Sequence, residues 1–177
     1  PHGRPCVASL VPTQRHPGLF PVGRLDRDTT GLLLFTTNGD AAQQMLHPSK
    51  HVTKHYVALV DGVPKPRELE RLRKGVMLDD GRAQRAEVEV LGPDDALFAT
   101  VARDTSLGDA SVVGLTIREG RKHQVKRMFS AVGHEVLELH RRSFGPLELD
   151  PELREGQWRE LTPEELKAIA LEVGLPG

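Results

Sequence analysis

The order of apolar and polar positions along this 177-residue chain predicts short strands broken by a few helices. Gly31-Leu32-Leu33-Leu34-Phe35-Thr36-Thr37 is an apolar run closed by Asn38-Gly39-Asp40, which predicts a buried strand and then a turn. Asp40 stands where it would cap a short helix over 41–46, and Pro48 stops that helix. Tyr56-Val57-Ala58-Leu59-Val60 reads as a second strand, ended by Asp61-Gly62. Leu69 and Leu72 have helical spacing after Pro66, with Gly75 as the stop. Further strands are expected at 86–91, 97–102 and 112–118, and another at 136–139. Between the last two, Val125, Met128, Phe129 and Val132 repeat at i, i+3, i+4 and i+7, predicting a helix over 122–132. Its apolar stripe faces the core, which would leave Lys122 and Arg127 pointing outward. Thr162-Pro163-Glu164-Glu165 has the spacing of a capping box, with Pro at the first helical position, and opens a C-terminal helix. Residues 1–18 hold four prolines and two glycines and are expected to be mostly loop. Strands outnumber helices without a regular βαβ alternation, so the expected class is α+β.

Composition narrows the field. A hydrophobic share of 38% and a charged share of 28% suit an ordinary globular domain. No apolar run approaches the roughly 20 residues that span a bilayer. The single cysteine, Cys6, cannot form an internal disulfide, so a cytoplasmic setting is expected. No repeat or low-complexity linker divides the chain, and one domain over 1–177 is expected. The net charge of −1 gives no general reason to bind a polyanion. Its distribution does: seven basic residues against three acids leave residues 118–142 at net +4, and the remainder at −5. Such a patch on an acidic body can hold nucleic acid locally; a solvated helix face would have the same composition.

Gly23-Arg24-Leu25-Asp26-Arg27-Asp28-Thr29-Thr30-Gly31 is the stretch that suggests chemistry. It sets two carboxylates among two arginines just ahead of a buried strand. A guanidinium within about 4–6 Å keeps a carboxylate ionised, which suits a nucleophile rather than a general acid. A turn held by local ion pairs is the structural alternative. His47, His51 and His55 are four residues apart, as metal ligands on a helix would be, but Pro48 breaks that helix. No metal or organic cofactor is expected. Gly120 ahead of the basic helix could aim backbone N–H groups at a phosphate or simply serve a turn. Trp158 is expected to pack under the C-terminal helix.

The motif Gly-Arg-Leu-Asp-x-Asp-Thr-x-Gly-Leu-Leu-Leu resembles the active-site motif of the RsuA/RluB/RluE/RluF family of bacterial ribosomal RNA pseudouridine synthases. The likeness continues through His47-Pro48, Lys54-His55-Tyr56 and Gly75-Val76-Met77-Leu78-Asp79-Asp80-Gly81. It is strong again at Glu119-Gly120-Arg121-Lys122-His123-Gln124-Val125-Lys126-Arg127-Met128-Phe129, then at Leu139-His140-Arg141, Gly145-Pro146-Leu147 and Leu161-Thr162-Pro163. The resemblance implies the pseudouridine synthase fold, a mixed, mainly antiparallel sheet flanked by helices with the active site in a central cleft. It implies Asp26 as nucleophile, Tyr56 as the stacking partner of a flipped uracil, and Lys126 as the base paired with Asp26. Arg24 would help extrude the base, and Leu139 would close the pocket. Arg121, Lys122, Arg127 and Arg141 complete the expected RNA contacts. The implied partner is ribosomal RNA, with 23S slightly favoured over 16S, met by a monomer away from any membrane. The family's Lys-Pro-x-Gly segment and its S4-type RNA-binding domain, both expected ahead of Pro1, lie outside this sequence.

Two other classes compete. A non-catalytic RNA-binding or ribosome-assembly module of the same fold would need no nucleophile, yet Asp26, Arg24 and Tyr56 are all present. A hydrolase using Asp26 and Asp28 would exploit their i, i+2 spacing, about 6–7 Å on extended chain, but the surrounding motifs do not suit it.

Overall fold

The computed structural model describes residues 14–102 and 108–175. Most of the expected N-terminal loop lies outside the described residues; 14–18 form turns. In chain order the first elements are β1 (Phe20–Pro21), β2 (Thr29–Gly31), β3 (Phe35–Thr36), α1 (Gly39–Leu46), β4 (Lys54–Val60) and α2 (Pro66–Lys74). There follow β5 (Met77–Leu78), β6 (Gly81–Arg82), β7 (Glu87–Leu91), β8 (Ser111–Ile117) and α3 (Gln124–Ala131). The chain closes with β9 (Val136–Phe144), β10 (Leu147–Glu148) and α4 (Pro163–Val173).

A six-stranded sheet runs β10-β9-β4-β8-β7, with β2 added to β9. Every pairing in it is antiparallel except β2 on β9, which is parallel. This is the α+β, mainly antiparallel architecture expected. β4 is central because Val57, Ala58, Leu59 and Val60 are all buried, so both its faces need cover. Ala58 and Val60 join a cluster built with Leu69 and Leu72 of α2 and with Val125, Met128 and Phe129 of α3. Val57 and Leu59 face the opposite cluster, with Leu91, Val101 and Val112. A third cluster, around Val22, Met45, Phe144 and Val173, seats α1 and α4.

Several local expectations are corrected. The run 31–37 is two short strands, because its ends serve different partners. β2 follows β9 as far as Gly31, and Leu32 donates its N–H to the Arg141 carbonyl (2.9 Å). Leu34 then accepts from Val22 N–H (2.7 Å) and carries the chain to the β1–β3 pair. The cap of α1 is Asn38, whose Oδ1 accepts Ala41 N–H at 3.1 Å, rather than Asp40. Residues 97–102 hold a 3-10 turn at Phe98–Thr100 instead of a strand. There Asp95 Oδ1 accepts Leu97 N–H (2.9 Å) and Thr100 Oγ1 donates to the Leu97 carbonyl (2.6 Å), local bonds that compete with a ladder. β9 extends five residues past the expected end. Trp158 stays 41% exposed rather than packed. The capping box of α4 forms as expected, with Thr162 Oγ1 accepting Glu165 N–H and Glu165 Oε1 accepting Thr162 N–H.

Candidate active site

The loop ahead of β2 carries the two carboxylates. Thr29 N–H bonds the Asp26 carbonyl at 2.9 Å, closing a tight turn that lifts Asp26 and Asp28 out of the sheet edge. The parallel pairing of Thr29, Thr30 and Gly31 with Leu139, His140 and Arg141 then ties that turn to β9. On the other side of β9, Tyr56 of β4 lies opposite Arg141 and Ala58 opposite Leu139. Strand register therefore brings residues 26, 56, 139 and 141 into one neighbourhood.

Arg141 is the unexpected member. It is 3% exposed, so it cannot serve as the RNA-facing cation expected of it. Its Nε and Nη2 both donate to the Leu32 carbonyl, at 3.0 and 2.7 Å, and its guanidinium lies 5.2 Å from the centre of the Phe144 ring. Tyr56 lies opposite it across the β4–β9 pair. Burial pushes the Tyr56 phenol above its ordinary range; the neighbouring Arg141 charge opposes that shift and Asp26 adds to it. The hydroxyl is thus held neutral. Lys54 sits 5.5 Å above the same Phe144 ring and donates to the Glu119 carbonyl at 3.3 Å. Burial, and then Arg141, hold its ammonium below the ordinary lysine range.

α3 supplies the opposing bases. Lys126 Nζ meets Asp28 Oδ1 at 2.5 Å, which corrects the expected Lys126–Asp26 pair. Asp28, 73% exposed, reaches further towards the helix than Asp26, 30% exposed, does. The Lys126 hydrogen bond holds the Asp28 carboxyl below its ordinary range. Asp26 Oδ1 instead faces His123 Nε2 at 3.5 Å. Beside these pairs a groove of about 560 Å³ runs from Asp28 and Lys126 to His134 and Glu135.

The expected RNA contacts divide into three groups. Arg24 and Lys122 are exposed. Arg127 and Arg121 are engaged by the β5–β6 hairpin: Arg127 Nη1 lies 2.8 Å from Asp79 Oδ1 and 2.9 Å from Asp80 Oδ1, and Arg121 Nη1 is 3.1 Å from Asp80 Oδ1. Arg127 is therefore not the outward-pointing cation that periodicity suggested, because the hairpin acids fold over it. Arg141 lies inside. Leu139, 5% exposed, belongs to the core cluster against which Tyr56 packs. The spaced histidines separate: His47 Nδ1 accepts Ser49 N–H at 3.1 Å, and His55 Nδ1 pairs with Thr116 Oγ1 at 2.8 Å. Sequence reading missed His123 and the inward role of Arg141. The signal for Arg141 was its alternation with Leu139 on one face of a strand longer than foreseen.

The chain has relatives among known proteins. The model of the RNA pseudouridylate synthase family matches residues 5–131. The ribosomal large subunit pseudouridine synthase B of Bacillus subtilis is 40% identical over 151 residues, covering 85% of this chain and 57% of that protein. An uncharacterized RNA pseudouridine synthase of Aquifex aeolicus is 37% identical over 175 residues, 99% of this chain and 64% of that protein. A crystal structure of a pseudouridylate synthase superposes with a TM-score of 0.79 at 32% identity, covering 93% of this chain and 65% of that one. The chain belongs to the RNA pseudouridylate synthase family. It spans less than two thirds of the length of both curated relatives.

Proposed function

We propose that this chain isomerises a uridine of ribosomal RNA to pseudouridine, with Asp26 as nucleophile and base flipping as the means of access. The observation that carries the reading is that the β2–β9 and β4–β9 pairings bring the loop carrying Asp26 and the strand carrying Tyr56 to the same strand, β9, with Asp26 facing His123 of α3. The carboxylate attacks the target nucleoside, uracil leaves the ribose, turns, and rejoins it through carbon. Product and substrate have the same atoms, so the stoichiometry needs no co-reactant. Extruding the base costs a few kcal/mol of unstacking, and an aromatic face such as Tyr56 returns about 1–3 kcal/mol of that. Arg24 and Lys122, both exposed, are the cations placed to meet the RNA backbone. The names of the relatives favour the large-subunit RNA, 23S, as substrate.

The test uses 23S and 16S RNA labelled with tritium at uridine C5, because joining C5 to the ribose releases that hydrogen to water. Wild-type protein should release tritium from 23S RNA, and Asp26→Asn should release none while retaining RNA affinity. Turnover by Asp26→Asn within about tenfold of wild type would remove Asp26 as nucleophile.

A further inference from the structure

His123 stands outside every role assigned so far, and its placement is costly. Its backbone is left-handed (φ 52, ψ 33) at the N-cap of α3, a region that few non-glycine residues use, histidine being one of those enriched there. Its side chain makes no capping hydrogen bond, which is what an N-cap residue ordinarily contributes. The turn holds this conformation through its neighbour instead. Gln124, 4% exposed, accepts Arg121 N–H at 3.1 Å through its amide oxygen and donates to Glu119 Oε2 at 2.7 Å. Arg127 adds a bond to the Lys122 carbonyl at 2.9 Å. The turn is thus fastened from both sides while the imidazole, half-exposed, points at Asp26 Oδ1. Among the described residues His123 is the one basic side chain within 4 Å of that carboxylate, since Lys126, three residues on, is taken by Asp28.

We infer that His123 is a positioning residue for Asp26, its Nε2–H fixing one carboxylate oxygen so that the other is free to attack. The inference rests on the functional reading above. In its neutral form the imidazole orients the carboxylate; once protonated it becomes a full counter-ion and holds the nucleophile back. The charged groups around it are Asp26, 3.5 Å from its Nε2, Asp28 in the same loop as Asp26, and Lys126 of α3, which Asp28 binds. Asp28 is kept ionised by its Lys126 bond and Tyr56 is kept neutral by burial.

Two variants separate positioning from folding. His123→Gly suits the left-handed backbone and removes the ring; His123→Gln retains an N–H donor that does not titrate. The first readout needs no RNA: the side-chain carboxyl ¹³C resonance of Asp26, assigned by its loss in Asp26→Asn. It should step with pH across the imidazole range in wild type and lose that step in His123→Gln. The second is the single-turnover rate on 23S RNA. His123→Gly should lower it on the order of 10- to 100-fold, the scale of a misplaced reacting group, with RNA affinity and melting temperature held. His123→Gln should restore most of the rate, and should abolish the fall in rate that wild type shows as pH drops through the imidazole range. Absence of the ¹³C step in wild type overturns the inference. So does a His123→Gly rate within about twofold of wild type, or a rate loss that tracks a lower melting temperature and is not restored by glutamine. A wild type that shows the step yet makes no pseudouridine in any ribosomal RNA overturns the functional reading and the positioning role with it, while the contact stands.

Discussion

Replacing Gly31 by alanine tests whether the β2–β9 seam places Asp26. Gly31 has φ +115, and a Cβ there would lie 2.2 Å from the Arg141 carbonyl oxygen and 2.6 Å from its nitrogen. Both contacts are with backbone, so a side-chain shift cannot relieve them; β2 must leave β9. The positive φ contributes about 1–3 kcal/mol of strain. Separation of the strands forfeits the Leu32 N–H bond to Arg141 and ladder bonds of the Thr29–Gly31 pairing, each worth about 1 kcal/mol. The sum is roughly 3–5 kcal/mol, a large part of the 5–15 kcal/mol that ordinarily stabilises a domain. For a chain of this size that lowers Tm by about 6–20 °C. Gly156→Ala isolates the strain, because Gly156 has φ +83 and nothing within 4 Å of an added Cβ; it should cost about 1 kcal/mol. Urea unfolding of the two variants, with single-turnover rates at a temperature where both are folded, makes the comparison. Folded Gly31→Ala should turn over at least about tenfold more slowly, since the loop carrying Asp26, the proposed nucleophile, has moved, and Gly156→Ala should match wild type. The reasoning fails if the two variants unfold within about 1 kcal/mol of each other, or if folded Gly31→Ala keeps the wild-type rate.

Tyr56→Phe retains the ring and gives up only the hydroxyl, whereas Tyr56→Ala gives up both; if stacking dominates, filter binding should show clearly tighter RNA association for Phe, and equal losses would point to the hydroxyl. Lys122→Ala should flatten the slope of log affinity against log salt by about 0.7–0.9, one phosphate's share, while Arg127→Ala should move the slope less and lower Tm, because it strips Asp79 of its partner and leaves Asp80 with Arg121 alone. His134 joins the Asp61 carbonyl (2.7 Å) to Glu68 (3.1 Å); burial disfavours its charge, but these bonds prevail and raise its pKa above 6.5, while the Lys65 N–H and then His134 hold Glu68 below 4.5. Stability from a raised histidine is complete below its unfolded pKa and fades as pH rises through the folded value, and that from a lowered carboxylate fades as pH falls through its own. The Tm difference between wild type and His134→Ala should therefore peak between pH 4.5 and 6.5 and shrink above it, and a difference that grows towards alkaline pH would refute the pairing.

The elements most legible in the sequence are those whose signal is local and repeated. α3 and α4 announce themselves through apolar spacing and a capping box, and β4 through four consecutive apolar residues that both faces of the sheet can use. The broken run at 31–37 was not legible, because the break depends on a partner 110 residues away, as Thr30 and His140 are. The pairing of carboxylates with bases was half legible. Residue types and motifs singled out Asp26 and Lys126, but which acid takes which base depends on how far each loop residue projects, and neighbouring i, i+2 positions differ in that only once the turn at Asp26 is built. Arg127 was misread for a related reason: helical periodicity says which way a side chain leaves its own helix and nothing about an acidic hairpin folded over it.

The misreading of Arg141 is the most instructive, because the residue is where the site is joined. A charge buried at 3% exposure is expensive unless its hydrogen bonds are met. Here they are met by the segment it must hold. The Arg141 carbonyl receives Leu32 N–H, and its guanidinium returns two bonds to the Leu32 carbonyl. Backbone and side chain thus grip the same residue, just beyond the loop that carries Asp26. The same residue lies opposite Tyr56 in the β4–β9 pair. One buried cation therefore stands on the strand between the one that follows Asp26 and the one that carries Tyr56. Its basic character, which in the sequence adds to the apparent polyanion patch, is spent wholly inside the protein. The exposed positive charge is smaller than the count over 118–142 suggests, and it rests on residues such as Lys122 and Arg24 rather than on Arg121, Arg127 and Arg141.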